Sequence, residues 1–371
     1  MLTTAIRVEG ILAEAYINRI ATAVPANDVH RYFLGFAAAQ LKDDPRQRAI
    51  FSRMADKGGI EHRYSCVAPA EDPEGIKVDA GGIFLRGAFP GTAQRMDLYE
   101  SHAPDLAEIA VERLDLEEER DRVTHLIVTS CTGFSAPGID LELVARCGLA
   151  QTVERTLVGF MGCYAALNAL KLARHIVRSE PEARVLVVNI ELCTLHLKDT
   201  VDMEALLSFC LWGDGCAASL VSADPVGIRL DSFRTLLAAD SRELMTWNVR
   251  DDGFDMVLSG RVPAVIHELL GGRQREVLGN TAVEDIDLWA VHPGGRSVLD
   301  AVQRALALDA HALDRSRAVL RDNGNMSSAT VMFVLEKMLA TAKAGERGCG
   351  MAFGPGLTAE TMRFEAVGRQ P

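Results

Sequence analysis

The feature that most constrains this chain is an alternation of short β-branched apolar runs with longer amphipathic stretches. The clearest runs are His125-Leu126-Ile127-Val128, Val185-Leu186-Val187-Val188 and Leu288-Trp289-Ala290-Val291. Continuous apolar runs of this length suit strands covered on both faces, and the stretches between them carry helical periodicity. The pattern predicts an α/β protein with buried mixed sheets. Its spacing predicts helices around Pro104–Leu114, Tyr164–Arg178, Val298–Leu308 and Ala329–Lys343, with Pro104 as a first helical residue and Gly345 as a stop. At about 150 residues per domain, 371 residues imply two sizeable domains or one duplicated fold. A boundary falls at Ser222–Pro225, where Ala223-Asp224-Pro225 follows an apolar stretch, giving halves 1–222 and 223–371. Asp72–Gly91, dense in glycine and charge, reads as an irregular surface excursion.

Composition excludes several functions. A net charge of -12 gives no general affinity for nucleic acid or anionic membrane, so an anionic substrate has to meet a local basic patch. No run reaches the roughly 18 apolar residues of a membrane span, and Met1–Arg7 shows no charged start followed by an apolar stretch, so the expected address is cytoplasmic. Eight cysteines scattered without C-x-x-C pairs read as reduced thiols. Metal and nucleotide motifs are absent, and no metal is expected.

Three stretches carry chemistry. Gly159-Phe160-Met161-Gly162-Cys163-Tyr164-Ala165-Ala166 delivers a thiol to the buried start of a helix, which emerges at the surface through Lys171, Arg174, His175 and Arg178. A free thiol titrates at about 8.5, and a helix start with a neighbouring imidazolium can lower that enough to populate thiolate. Val291-His292-Pro293-Gly294-Gly295 ends a buried strand with histidine, a place where α/β enzymes put reactive side chains. Asp322-Asn323-Gly324-Asn325-Met326-Ser327-Ser328-Ala329 is a polar turn into an apolar helix. Each alone has an ordinary reading: small packing for Cys163, a satisfied core residue for His292, helix capping for Asn325.

Together they form a more specific pattern. With Arg53-Met54-Ala55-Asp56-Lys57, Thr129–Pro137, Leu211-Trp212-Gly213-Asp214-Gly215 and Phe353-Gly354-Pro355-Gly356-Leu357-Thr358, in this order, the chain resembles the type III polyketide synthases, the chalcone and stilbene synthase family, over nearly its whole length, and in its bacterial form. The resemblance implies a thiolase-like fold of two duplicated halves in α-β-α-β-α layers, forming a homodimer. It implies no metal or organic cofactor, with acyl-CoA and malonyl-CoA as substrates. Cys163 would be the nucleophile, with His292 and Asn325 as the other catalytic residues donating to the thioester oxygen. Trp212 and Met256 take the gatekeeper positions, where plant members carry two phenylalanines. Cys131, Thr132, Cys193, His196, Trp247 and Ser327 take pocket positions, and Trp247, in place of a glycine, would narrow the cavity against bulky aromatic starters. Arg53 and Lys57 match coenzyme A contacts, whereas a third family lysine falls on Ile50, leaving Arg48 as a substitute. Phe353, Gly354, Pro355 and Gly356 form the cyclisation loop, preceded by Ala352 in place of glycine.

The expected activity is acyl transfer: an acyl-CoA starter extended by decarboxylative condensation with malonyl-CoA, then cyclised to a pyrone, resorcinol or phloroglucinol-type product. The alternative is a ketoacyl synthase III-like condensing enzyme of fatty-acid synthesis. That enzyme shares the fold and the Cys-His-Asn set but takes its extender from a carrier protein. An idle scaffold of the same fold is disfavoured by three intact catalytic positions.

Overall fold

The computed structural model describes residues 13–368, so Met1–Arg7 lies outside the described residues. Among the described residues thirteen strands occur in chain order: β1 (Tyr16–Ala23), β2 (Asn27–Asp28), β3 (Tyr64–Ser65), β4 (His125–Ser130), β5 (Glu154–Gly159), β6 (Val185–Leu192), β7 (Asp214–Ser222), β8 (Gly227–Leu237), β9 (Met245–Arg250), β10 (Gly253–Leu258), β11 (Leu288–Val291), β12 (Arg347–Gly354) and β13 (Thr358–Gly368). Nine of them form one mixed sheet in the order β11-β12-β13-β8-β1-β7-β6-β4-β5. The strands on one side of the β1/β8 junction precede residue 223 and those on the other follow it. The junction itself is the antiparallel pair Tyr16 with Arg229 and Ile17 with Ile228.

Burial on both faces follows from the apolar runs. In β6, Val185 and Val187 face one core while Leu186, Val188, Ile190 and Leu192 face another. In β12, Ala352 faces the first core while Cys349, Met351 and Phe353 face a third. The first core is a central layer built from the helices Ala165–Ser179 and Thr330–Leu339, which begin just after Cys163 and Asn325. Helix Thr92–Arg113 covers the outer face of the first half, and helices Val262–Gly272 and Arg296–Ala305 cover that of the second. The layers thus run α-β-α-β-α. Both chemistry-bearing turns open from the central layer.

Two helix boundaries differ from expectation. The first helix starts at Thr92, and Pro104 lies inside it. Packing of Tyr99, Ala103, Leu106, Ala107 and Ala110 on the sheet outweighs the roughly 3 kcal/mol that an interior proline costs. The last helix ends at Leu339, and Gly345 (φ 91°) serves instead in the turn before β12, where its N–H donates to Ala366 O. The excursion 72–91 is irregular, yet Val78 and Phe84 from it pack with Phe33 and Phe36.

Candidate active site

Cys163 sits in a one-turn helix, Gly162–Tyr164, immediately before helix Ala165–Ser179. The turn is held against the loop after β12. Gly162 has φ 74°, and a Cβ there would lie 2.3 Å from Pro355 Cδ. A Cβ on Gly354 would meet the Tyr164 ring at 2.6 Å. The glycines at both positions are therefore required by close approach of Phe353–Gly356 to the cysteine turn.

His292 extends the parallel pairing of β11 with β12 by one residue, its N–H donating to Met351 O at 2.7 Å. Asn325 is locked by its backbone, donating from N to Leu211 O (2.7 Å) and accepting from Gly213 N (3.0 Å), which places it beside Trp212. Its Oδ1 accepts from Ser327 N (2.9 Å), so the amide nitrogen is turned the other way, toward Gly294 O at 3.4 Å. Non-glycine residues with positive φ flank the site: Phe160 (55°), Ser327 (47°) and Leu357 (48°). Such strain persists only where surrounding structure over-determines it, and it concentrates at functional sites.

These turns converge. Cys163, His292 and Asn325 line one chamber, together with Trp212, Met256, Cys131, Trp247, Ser327, Phe353 and Pro355. Cys163 is 6% exposed and His292 and Asn325 are 1% exposed, so the chamber is nearly sealed. Trp212 and Met256 also line an open basin next to it, so they stand between chamber and surface. Cys193 packs with Cys163 and Trp212 in one buried cluster.

Other positions expected in the pocket stand behind its wall. Thr132 Oγ1 donates to Glu191 Oε2 (2.9 Å). His196 Nε2 donates to Thr132 O (2.7 Å) while its Nδ1 accepts from Phe254 N (3.1 Å). Trp247 Nε1 donates to Cys131 O (2.6 Å), which fixes its ring in the chamber. Arg53 and Lys57 are exposed on helix Pro45–Gly58 and do not line the chamber. All eight cysteines are free. Among the described residues no group of three or more His, Cys, Asp or Glu could hold a metal ion.

Electrostatics correct one expectation. Burial pushes the Cys163 thiol up to about 12, although hydrogen bonds from Ser327 and Asn325 pull the other way. Burial alone pulls His292 down to about 3. Burial thus works against a standing thiolate–imidazolium pair at both partners. Desolvation outweighs the helix start.

Glu191 was not singled out from sequence. It is fully buried in β6, and its carboxylate accepts from Cys131 N, Thr132 Oγ1 and Ser328 Oγ, with Cys131 Sγ at 3.4 Å. Cys131 Sγ in turn reaches Ser327 Oγ at 3.1 Å, which hydrogen-bonds Cys163. Burial holds this carboxyl above its usual range. The available signal was Asn189 and Glu191 on the same face of an otherwise apolar strand.

Comparison with known proteins identifies the family. Residues 5–225 match the family model for the N-terminal domain of chalcone and stilbene synthases, and residues 231–368 match that for the C-terminal domain. The alpha-pyrone synthesis polyketide synthase-like Pks18 of Mycobacterium tuberculosis is 34% identical over 96% of this chain and 92% of its own. Bisdemethoxycurcumin synthase of Oryza sativa subsp. japonica is 34% identical over 85% and 83%. The crystal structure of PKS-I from the brown alga Ectocarpus siliculosus superposes with a TM-score of 0.85 at 26% identity, over 97% of this chain and all of that one. These matches favour the polyketide branch over the fatty-acid alternative. The chain belongs to the chalcone and stilbene synthase family, the malonyl-CoA-dependent acyltransferases known as type III polyketide synthases.

Proposed function

We propose that Cys163 takes an acyl group from an acyl-CoA starter and that His292 and Asn325 drive its extension by malonyl-CoA. The observation that carries this reading is that both ring nitrogens of His292 lack a protein partner inside the chamber that holds Cys163. A buried polar atom left without a partner costs about 1–3 kcal/mol, so its retention points to a task.

In loading, the Cys163 proton passes to His292 as sulfur attacks the thioester carbonyl, and coenzyme A leaves as the thiol after taking that proton. Malonyl-CoA then loses carbon dioxide. The electron pair of the broken C–C bond forms an enolate, whose oxygen is held by His292 N–H and Asn325 Nδ2–H. The enolate carbon attacks the Cys163-bound carbonyl, and collapse of the adduct expels the Cys163 thiolate and gives a chain two carbons longer on coenzyme A. Trp212 and Met256 keep water from the enolate. Phe353–Gly356 shapes the far wall where the chain cyclises.

The half-buried Trp247 narrows the chamber and favours an aliphatic starter, carried on to a pyrone, resorcinol or phloroglucinol-type ring. Arg53 and Lys57 give exposed positive charge for the coenzyme A phosphates. Neither metal nor organic cofactor is needed, since the enolate charge is met by hydrogen-bond donors. A homodimer fits the outer edge of the sheet. Edge strand β5 is exposed along most of its length, and Phe134, Leu157, Phe160 and Met161 beside it are exposed apolar residues. Among the described residues no helix is long and apolar enough to cross a membrane, and a cytoplasmic address accords with free thiols and intracellular CoA thioesters.

Mass spectrometry of products from a panel of acyl-CoA starters with malonyl-CoA, and no carrier protein, tests the reading. Cyclised polyketides from aliphatic starters are expected. Turnover of aromatic starters alone overturns the starter assignment, and no product without a carrier protein overturns the reading as a whole.

A further inference from the structure

Arg63 is 2% exposed and forms no ion pair with any described residue. Its Nε donates to His30 Nδ1 (3.0 Å), its Nη1 donates to Phe209 O (2.8 Å) and to Trp212 O, and the guanidinium lies 4.8 Å over the Phe33 ring. All three acceptors are neutral, since burial lowers His30 to about 4. Asp28 and Asp214 act on the guanidinium only through space. Nη2, buried with the rest, meets no protein acceptor. Burying a charge without a counter-charge is expensive, and such charges are paired as a rule. Arg95 also has a buried Nη2 without a partner, but it lines the open basin together with Asp199, Asp252 and Asp255, so carboxylates share its surroundings.

Arg63 lines a small cavity that shares Trp212 with the Cys163 chamber. It has about 70 Å³ of free space. At roughly 10–15 Å³ for each water-sized body, that suits a small ion or a few waters. Phe33, Phe36, Val78 and Phe84 make much of its wall apolar, and the exposed Ala68 on its lining brings it to solvent. Two residues on the lining carry an unmet polar group, Arg63 at Nη2 and Trp212 at Nε1, and both groups are donors. The acceptors there are engaged. Ser65 and Thr194 hydroxyls bond each other (2.7 Å), Ser65 Oγ also accepts from Val67 N (3.1 Å), and Asp79 turns into its own loop, with Oδ1 accepting from Phe84 N (2.6 Å) and Oδ2 beside Gly81. A water between the two donors would leave its own hydrogens unmet, whereas an anion only accepts and also supplies the missing charge.

We propose that this cavity is a binding site for one halide-sized monovalent anion, held by Arg63 Nη2 and Trp212 Nε1. The charge-assisted bond from Arg63 supplies most of the affinity. Asp79 on the same lining weighs against a divalent anion, and the small free space weighs against a larger one. Arg63 already holds the Trp212 carbonyl, so the anion ties the indole ring to the residue that fixes its backbone. The site thereby steadies one wall of the Cys163 chamber from outside, whichever starter the chamber takes.

The test titrates bromide against gluconate at constant ionic strength, reads binding from tryptophan fluorescence, and locates the ion by bromide anomalous diffraction from crystals of the full chain. The wild type should show a saturable fluorescence change and an anomalous peak between Arg63 Nη2 and Trp212 Nε1. Arg63→Met removes the charge and should raise the half-saturating bromide concentration about tenfold or more, the loss expected with one charged hydrogen bond. Val67→Phe fills the cavity from its wall, keeps Arg63 and Trp212, and should weaken binding at least as much. A wild type without saturation, or an anomalous map without that peak, means that the cavity holds water only and overturns the site. A saturable change that survives undiminished in a variant with wild-type circular dichroism places the ion elsewhere and overturns it as well. Should one variant fail to fold, the other decides.

Discussion

Two buried histidines, His196 and His292, stand on opposite sides of the chamber wall, and only one is built for chemistry. Burial pulls both down to about 3, so both are neutral in the folded protein. His196 has each nitrogen matched, one donating to Thr132 O and one accepting from Phe254 N, and its ring stacks on Phe254 with centroids 4.0 Å apart. His292 has neither nitrogen matched by protein. Exposure and proton affinity do not distinguish the two. Unmet hydrogen-bonding capacity does, because it leaves His292 free to take a proton from sulfur and to donate to an oxyanion.

The largest test exchanges each histidine for glutamine. His292→Gln should lower polyketide formation by about 10²–10³, the usual loss when an oxyanion donor and general base is removed. His196→Gln should leave turnover within about tenfold and lower stability by roughly 1–3 kcal/mol, since a glutamine cannot meet both Thr132 O and Phe254 N in the imidazole geometry. Steady-state product formation and urea midpoints check both. A His196 variant that keeps its stability but loses turnover as deeply as the His292 variant would break the distinction.

Acid should affect the two histidines alike. Each has a folded-state value below its ordinary 6.5, so each contributes stability above pH 6.5 that is lost as pH falls toward about 3, because only the unfolded chain takes up the proton. Between pH 7 and pH 5 each should account for about 2 kcal/mol of lost stability. Either glutamine variant should flatten the urea-midpoint profile over that window by its share. Glu191 works in the opposite direction: its raised value makes stability fall as pH rises through its folded value, so it cannot imitate this acid loss.

The same contrast marks what sequence could and could not give. Strands β4, β6 and β11 were legible because two-sided burial demands unbroken apolar runs, and a run has no face to misassign. Cys163, His292 and Asn325 were legible through ordered motifs, not through local pattern, in which each looked like packing or capping. The removal of Thr132 and His196 to the outer side of the wall was not legible, since a one-dimensional match carries neighbours along with the residues they support. Nor was the burial that opposes ionisation of Cys163. A helix start is visible in sequence, whereas the burial that raises the thiol depends on a chamber whose lining includes Trp212, Met256 and Phe353, which are remote in the chain. The start of the helix at Thr92 was hidden by Pro104, whose cost is offset by packing on the sheet.

The finest test concerns the proton between Cys163 and His292. With the thiol raised to about 12 and the imidazole lowered to about 3, a standing thiolate is nearly absent at neutral pH, so alkylation depends on transfer during attack. Iodoacetamide should therefore modify Cys163 at a rate that keeps rising through pH 8 to 9, without the plateau that a preformed ion pair would give from pH 6 upward. Removing the acceptor in His292→Gln should slow the reaction about tenfold at pH 7.5, a smaller loss than in turnover because no enolate has to be stabilised. His196→Gln should leave the rate unchanged, since both of its nitrogens are occupied and the ring lies behind the wall. Peptide mass mapping isolates Cys163 from the buried Cys131 and Cys193. A flat rate from pH 6 to 8, lost on removing His292, would instead establish a resting thiolate, and would mean that the imidazole already holds the proton before any substrate arrives.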